Sequence, residues 1–359
     1  MSLGILDPPS LPSHNVWAVA VLRRAGAALV VVAFTVSPSA PAQAVATGPR
    51  YPLPAPAVQP EPCPPPPVPP GPPPPPLPRP RVATAHIPLV ANPPARHVRL
   101  ATISGKGVWL TVFPRDRVDV ASLVATAASA HLNQIWVRTG STQDGFYGGP
   151  LLRRLVPAAH AVGISVVSWD FPTLSDPAAD AVRAQDAFRA GADAFSPDIE
   201  AMAEGTYLSA RRARYYLSLV RQYAGDRPVV ATVPTPDSYW LGFYPYKAEA
   251  PFVDAFAPMV YWDCTEPGKA VAQAIDYLSR LRPVTPIGQD FNMGPMGGRH
   301  GLPSPLEIWR FLYEAHRLGA IGASLYDIED GGHPQLEALA AYPWRQARLV
   351  SGRGRTGSR

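Results

Sequence analysis

The residues best suited to chemistry are two carboxylates, Asp198 and Glu200, which end the apolar run Gly191–Glu200, GADAFSPDIE. Side chains of an extended strand alternate faces, so residues two apart leave the strand end on the same side. Two same-facing acids at the end of a buried strand are costly unless they have a role. Other apolar runs stop on polar or aromatic groups in the same way: Arg138; Trp169 and Asp170; Tyr261, Trp262 and Asp263; Asp290; and Tyr326, Asp327, Glu329 and Asp330. Carboxylates beside aromatic faces suit glycoside chemistry. One acid with a raised pKa protonates the leaving oxygen, another stabilises or attacks the oxocarbenium-like centre, and Trp and Tyr rings stack on the sugar. Taken singly, Asp170, Asp263 and Asp290 are equally well read as helix caps. Trp240, Phe243 and Tyr246 form either a sugar-binding lip or the packing under a long loop. The chain has no H-E-x-x-H and no serine in a nucleophile elbow, so zinc hydrolysis and serine acyl transfer have no support. Neither metal nor cofactor is expected.

The elements that must position these groups are eight short apolar runs, of the kind expected for strands buried on both faces: 108–113, 134–139, 164–170, 192–198, 229–233, 253–262, 285–290 and 321–327. Helical spacing lies between them, as in Val120, Leu123, Val124 and Ala127, or Ile308, Phe311, Leu312 and Ala315. Ser304-Pro305-Leu306-Glu307 reads as a capping box with proline at N1, and Asp176-Pro177 opens another helix. Gly163, Gly191 and Gly319 stand where left-handed C-caps belong. Strand and helix in eightfold alternation predict an α/β chain with a single (β/α)8 TIM barrel over residues 99–345, an open doubly wound sheet being the weaker alternative. In such barrels the chemistry sits at the C-terminal ends of the strands.

The flanks differ from this core. Of the 47 prolines in 359 residues most precede position 95, too many for one globular fold. Residues 1–44 contain Arg23 and Arg24, the run AGAALVVVAFTV and Ala42-Gln43-Ala44, a secretory signal peptide pattern whose alternative is a retained membrane anchor. Residues 45–98 read as a disordered Pro-rich linker in polyproline II. About thirty such residues span on the order of 90 Å, a stiff spacer fit to carry a domain through a cell wall. Residues 346–359 form a basic tail whose G-x-G-x-x-G has neither strand before it nor helix after it. The formal charge of +5 belongs to these flanks: residues 103–344 hold 20 Lys and Arg against 25 Asp and Glu. The core therefore carries no basic, aromatic-interleaved stripe for nucleic acid. Cys63 and Cys264 are too few for a disulfide framework; they form one bridge or stay as two thiols.

The stretch Asp193-Ala-Phe-Ser196-Pro-Asp198-Ile-Glu200 resembles the D-x-x-D-x-D-x-E signature of family 18 glycoside hydrolases, the chitinase-like barrels, and Met259-Val260-Tyr261 resembles their strand-six M-x-Y. The resemblance implies Glu200 as general acid, Asp198 as the acid that orients the substrate's 2-acetamido group, and Tyr261 as support for the intermediate. The D-x-E pair also resembles the family 25 lysozyme-like muramidases, and the chain as a whole resembles secreted actinobacterial barrels grouped with glycoside hydrolases. Ser196 stands in place of the second aspartate of the signature. Trp262 stands where family 18 has an acid, displacing it to Asp263, and VWLTVF lacks the aspartate expected near the start of family 25 enzymes. The expectation is a secreted or wall-associated monomer that cleaves a polysaccharide, peptidoglycan or chitin-like, with no nucleic-acid partner and no stable membrane span after signal cleavage. Asp170, Trp169, Arg138, Trp262, Asp263, Asp290, Tyr326 and Asp327 would contact substrate. The alternative is a barrel that binds glycan at the wall without turnover.

Overall fold

Eight apolar runs of three to eight residues become the eight parallel strands of one sheet, because each is apolar on both faces and can be satisfied only between an inner and an outer layer. The computed structural model describes residues 77–200 and 204–344. The expected signal peptide, most of the linker, Cys63 and the basic tail lie outside the described residues. The strands are β1 (Gly105–Leu110), β2 (Gln134–Ser141), β4 (Ser165–Phe171), β5 (Ala194–Pro197), β6 (Val230–Pro234), β7 (Ala255–Val260), β8 (Ile287–Gln289) and β9 (Gly322–Tyr326). A two-residue strand β3 (Gly145–Phe146) pairs antiparallel to β2. The sheet order is β5-β4-β2-β1-β9-β8-β7-β6. Single bridges Phe195 to Val229 and Asp198 to Thr232 join its two ends, so the sheet closes as a (β/α)8 barrel.

Helices α1 (Val120–Ser129), α2 (Gly149–His160), α3 (Pro177–Arg189), α4 (Ala210–Ala224), α5 (Tyr246–Glu249), α6 (Pro267–Leu278), α7 (Pro305–Arg317) and α8 (His333–Ala341) follow the barrel strands in turn. Their starts are written locally. Asp119, Asp176, Ser209 and Glu266 accept from backbone N–H groups of the first turn, and Ser304 with Glu307 makes the reciprocal capping box. Gly163, Gly191 and Gly319, with φ of +76°, +108° and +82°, reverse the chain after α2, α3 and α7. Lys106 is buried beneath α8 and donates from Nζ to the carbonyls of Leu339 (2.8 Å) and Ala340 (2.9 Å), an ammonium at the helix's negative end. Burial lowers its pKa to about 8.

Two apolar layers result. Val108, Ile135, Val166, Phe195 and Phe256 face outward against helix residues such as Leu155, Leu217, Ile275 and Phe311. Trp109, Trp136, Val167, Trp169, Ala194, Val230, Ala257 and Ile287 fill the barrel itself. Trp109 and Trp136 stack at 4.7 Å, and each indole N–H is satisfied, by Ser324 and Gln134 respectively.

Residues 77–98, which the sequence assigns to the linker, lie against α4. Arg211 Nε donates to the Ile87 carbonyl (2.6 Å), Arg214 to that of Val90 (2.9 Å), and Arg212 to that of Val82; Ile87 is buried. A proline-rich strand has many carbonyls and few N–H groups, and three arginines of one helix supply the missing donors.

One acid in the fold is anomalous. Glu249 of α5 is fully buried and, among the described residues, neither carboxyl oxygen has a partner at hydrogen-bond geometry, the nearby Tyr244 hydroxyl opposing the effect of burial only in part. Its neighbour Tyr244 gives its one hydroxyl proton to the Ile199 carbonyl at 2.7 Å. Burial therefore holds the Glu249 carboxyl well above its usual pKa. A raised acid contributes fully to stability at low pH, and that contribution is lost as pH rises through its folded-state pKa. Glu249→Met, which removes the unpartnered group at similar length, is expected to raise Tm by a few degrees at pH 8 and by less at pH 5, on the scale of roughly 1–3 kcal/mol for a buried unsatisfied group. Thermal melts at the two pH values check this; a lower Tm at pH 8 would refute it.

Candidate active site

The C-terminal ends of β5 to β9, with the loops that follow, enclose a cavity of about 760 Å³. Alternation along β5 turns Ala194, Ser196 and Asp198 inward, and Phe195 and Ile199 outward into the helix layer. Asp198 is anchored through its backbone N–H to the Asp170 carbonyl (2.8 Å) and is 7% exposed; its Oδ1 is buried with no hydrogen-bond partner among the described residues. Glu200 lines the same cavity, half-buried. The residue between them, Ile199, is fixed by its N–H to the Thr232 carbonyl and by the Tyr244 hydroxyl on its own carbonyl.

Burial, then the charges of neighbouring acids, raises both carboxyls. Glu200 is pushed up to about 7 by burial and by Glu204. Asp198 is held well above the usual range by burial and by Glu200, against the opposing charge of Arg138. Both carboxyls are thus biased towards the protonated form and open on the cavity, the condition for proton transfer to a bound oxygen.

Tyr261 continues the inward face of β7 into this cavity, and its hydroxyl has no hydrogen-bond partner among the described residues. Burial, then Tyr326 and the acids Asp198 and Glu200, raise its pKa. Tyr326 lies 6.0 Å from the Tyr261 ring, and Phe291 meets Tyr261 edge-on at 5.0 Å. Trp109 lines the cavity below them. Thr111 donates towards the Tyr326 hydroxyl (3.1 Å) and Asp327 Oδ2 (3.2 Å), while the Asp330 N–H binds Asp327 Oδ1 (2.9 Å). The result is a wall of carboxylates facing aromatic rings.

The other expected contact residues divide by strand face. Trp169 and Arg138 point inward, adjacent to the site but outside the cavity lining. Asp170 points outward, where Arg183 of α3 binds both its oxygens. The Trp262 ring is buried against Phe311 at 5.4 Å in the outer layer, although the residue borders the cavity. Asp290 lies under the turn after β9, so close to Gly331 that a Cβ there would come within 2.2 Å of its Oδ2. Burial and Asp327 push it up to about 8. Asp263 accepts the Arg299 N–H at 2.7 Å and latches the β8–α7 loop. Trp240 lines the cavity while Tyr239 and Phe243 stand exposed beside it, ring centres 5.0–5.2 Å apart; Tyr246 is buried, its hydroxyl on the Pro234 carbonyl. Trp109, Thr111, Asp237, Phe291, Met293 and Met296 join the site without having been singled out in the sequence. Trp109 was findable as the inward aromatic of VWLTVF. The loop residues carried no local signal.

Tyr244 holds the strand end that carries both acids. Tyr244→Phe is expected to lower kcat for whatever substrate the two acids process roughly tenfold with little change in KM, because the acids stay present but lose their register. Steady-state kinetics check this; a KM change at constant kcat would point to a binding role instead.

Among the described residues no group of three or more His, Cys, Asp or Glu is placed to hold a metal ion. A smaller hollow of about 540 Å³ opens at the N-terminal ends of the strands, lined by Arg96, Lys247, Asp254 and Arg282 among others. Its acid, Asp254, is paired with Arg221, and it has no second carboxylate for acid/base work.

No protein-family profile matches this chain, and no curated protein sequence does. Solved structures do. A chitinase from Chromobacterium violaceum superposes with a TM-score of 0.53 at 11% identity, over 67% of this chain and 100% of that one. The spore cortex-lytic enzyme SleL of Bacillus cereus gives 0.50 at 12% identity over 66% and 73%, and a family 18 N-acetylglucosaminidase from Paenibacillus barengoltzii gives 0.50 at 10% over 66% and 99%. At these identities the likeness establishes the fold: the chain is built on the (β/α)8 barrel that these glycoside hydrolases use.

Proposed function

We propose that the chain is an O-glycosyl hydrolase acting on a polysaccharide. The observation that carries this reading is the pairing of a buried, unpartnered Asp198 with a Glu200 whose pKa lies at about 7, both opening on one aromatic-walled cavity. In the reaction the Glu200 carboxyl donates its proton to the glycosidic oxygen as the C1–O bond breaks, and water then adds to C1 and returns a proton to the Glu200 carboxylate. Asp198 faces the oxocarbenium-like carbon or orients the neighbouring substituent that does so, and Tyr261 offers its free hydroxyl to the developing charge. Tyr326 and Trp240 give the apolar faces on which sugar rings stack. Asp263 and Asp290 are poor donors for this step, since one holds a loop and the other lies outside the cavity lining.

Spore cortex lysis and chitin cleavage by the structural neighbours favour a wall or chitin-like polymer as substrate. Action outside the cell, after removal of residues 1–44, follows from the signal and linker patterns. No helix among the described residues is long and apolar enough to cross a membrane. The test is release of new reducing ends from chitin, peptidoglycan and plant or fungal glycans by the full chain and by Glu200→Gln. Release by the wild type alone supports the reading. Equal release by both removes Glu200 as the acid, and saturable binding without release by either leaves a glycan-binding barrel.

A further inference from the structure

Arg138 is the most unusual cation of the barrel. It is the inward residue after Trp136 on β2, and its guanidinium packs on two aromatic rings, with its Cζ 4.9 Å from the Phe113 centroid and 5.5 Å from that of Trp169. It forms neither a hydrogen bond nor an ion pair with any described residue, and its Nε is buried without a partner. Its Nη groups are equally unpartnered but reach solvent, since the side chain is half-buried at the mouth. By contrast, Arg183 and Arg221 are each matched to a carboxylate. A half-buried guanidinium whose Nε is out of water and unused is costly. Stacking on aromatic rings leaves its edge as the open face, and that edge is a planar fork matched to a carboxylate.

Asp198 does not fill the vacancy, because no ion pair links the two and Asp198 Oδ1 is itself unpartnered. Arg138 lies on β2, between β1 and β4, on the side of the barrel mouth away from β6 to β8 and outside the cavity lining. A substrate group bound there therefore belongs to a sugar beside the bond being cut.

Resting on the glycosidase reading, we infer that the site accepts a glycan carrying a carboxylate on a sugar unit, and that Arg138 binds this carboxylate through its free Nη edge. The carboxylate has two chemical sources, the C6 group of a uronic acid or a lactyl ether on an amino sugar.

The experiment measures binding of two matched pairs of glycans to the full chain. The first pair is a polyuronate and the same polymer after reduction of its carboxylates to alcohols. The second is peptide-free peptidoglycan strands, which carry a free lactyl carboxylate on alternate sugars, and chitin oligosaccharides, which carry none. In one pair the charged member is expected to bind roughly 10- to 100-fold more tightly than its neutral partner, as for a hydrogen-bonded charge, and that pair identifies the source. Arg138→Gln should bring the ratio close to one, and Arg138→Lys should keep part of it. Ratios near one in both pairs, no binding of either charged glycan, or an unchanged ratio in a folded Arg138→Gln would overturn the inference. If Arg138 only tuned Asp198 through space, the variant would alter charged and neutral glycans alike. Failure of the glycosidase reading is distinguishable: no reducing ends would appear from any glycan while the binding ratio persisted.

Discussion

Glu200→Gln is expected to lower kcat on a cleaved polysaccharide by about 10²- to 10⁴-fold with little change in KM, the usual loss when a positioned general acid is removed. Gln keeps the shape and the hydrogen-bonding reach of the side chain but cannot give up a proton to the leaving oxygen. The pH dependence follows with a definite sign. The acid works protonated, so the alkaline limb of the wild-type profile should set in at about 7, the pKa to which burial and Glu204 push Glu200, and fall roughly tenfold per unit above it. Glu204→Gln removes one of the charges that raises it and should move this alkaline limb to lower pH. An aryl glycoside with a strongly acidic phenol as leaving group needs no proton, so Glu200→Gln should lose far less on it than on the polysaccharide. That contrast separates a proton donor from a residue that merely shapes the cavity: equal losses on both substrates would sink the assignment. Stability gives an independent reading. Because the folded-state pKa of Glu200 is raised, its contribution to folding is present at low pH and lost as pH rises through about 7. Glu200→Gln should then melt no lower than the wild type at pH 8, as expected of a group held at a cost to stability.

Eight strands, their helices and several caps were legible because each is a local matter. Alternating apolar runs, Asp176-Pro177, the Ser304–Glu307 box and three left-handed glycines all declare themselves within a few residues. The pair Asp198 and Glu200 was legible for the same reason, since period-two alternation needs only the strand. The other residues expected to contact substrate show what happens when strand ends are read without regard to face. Trp169 and Tyr261 keep the inward register, whereas Asp170 and Trp262, one residue later in each strand, turn to the helices, and Asp290 at the end of β8 lies under a loop. Applying the alternation of β5 would have separated Trp169 from Asp170 and the Tyr261 ring from that of Trp262, but not Tyr326 from Asp327, which both line the cavity. Asp237, Phe291, Met293 and Met296 reach the cavity from loops whose course is set by tertiary contacts such as Asp263 on the Arg299 N–H, and nothing local encodes that. The segment before β1 misled for a related reason. Proline excludes helix and ladder, which reads as linker, but it does not exclude docking when a neighbour such as α4 supplies arginine donors.

Arg183→Met is the substitution expected to cost most stability. Arg183 binds both oxygens of Asp170 and, through Nη1, Asp180 Oδ1 at 2.9 Å. Asp180 also accepts from the Thr142 hydroxyl and the Leu174 N–H, each at 2.8 Å. All three charged side chains are buried, so removing the cation leaves Asp170 with no counter-charge in contact. Breaking one partner of a buried pair costs about 3–5 kcal/mol, which at roughly 2–4 °C per kcal/mol lowers Tm by something like 6 to 20 °C. The sign with pH is again fixed. Without Arg183 the Asp170 carboxyl is raised further, so the deficit should shrink as pH falls and Asp170 takes up a proton. Asp170→Asn added to Arg183→Met should recover part of the loss at pH 7, because the remaining group no longer carries a charge. The network also bears on the site, since the Asp170 carbonyl accepts the Asp198 N–H at 2.8 Å and β4 is the strand against which β5 is registered. Activity of Arg183→Met, assayed well below its Tm, should therefore fall more than the folded fraction does. An unchanged Tm would mean that this ion network does not support the β4 end. A lowered Tm with full activity per folded molecule would mean that Asp198 is held in place by its other contacts, the bridge to Thr232 and the Tyr244 bond on Ile199.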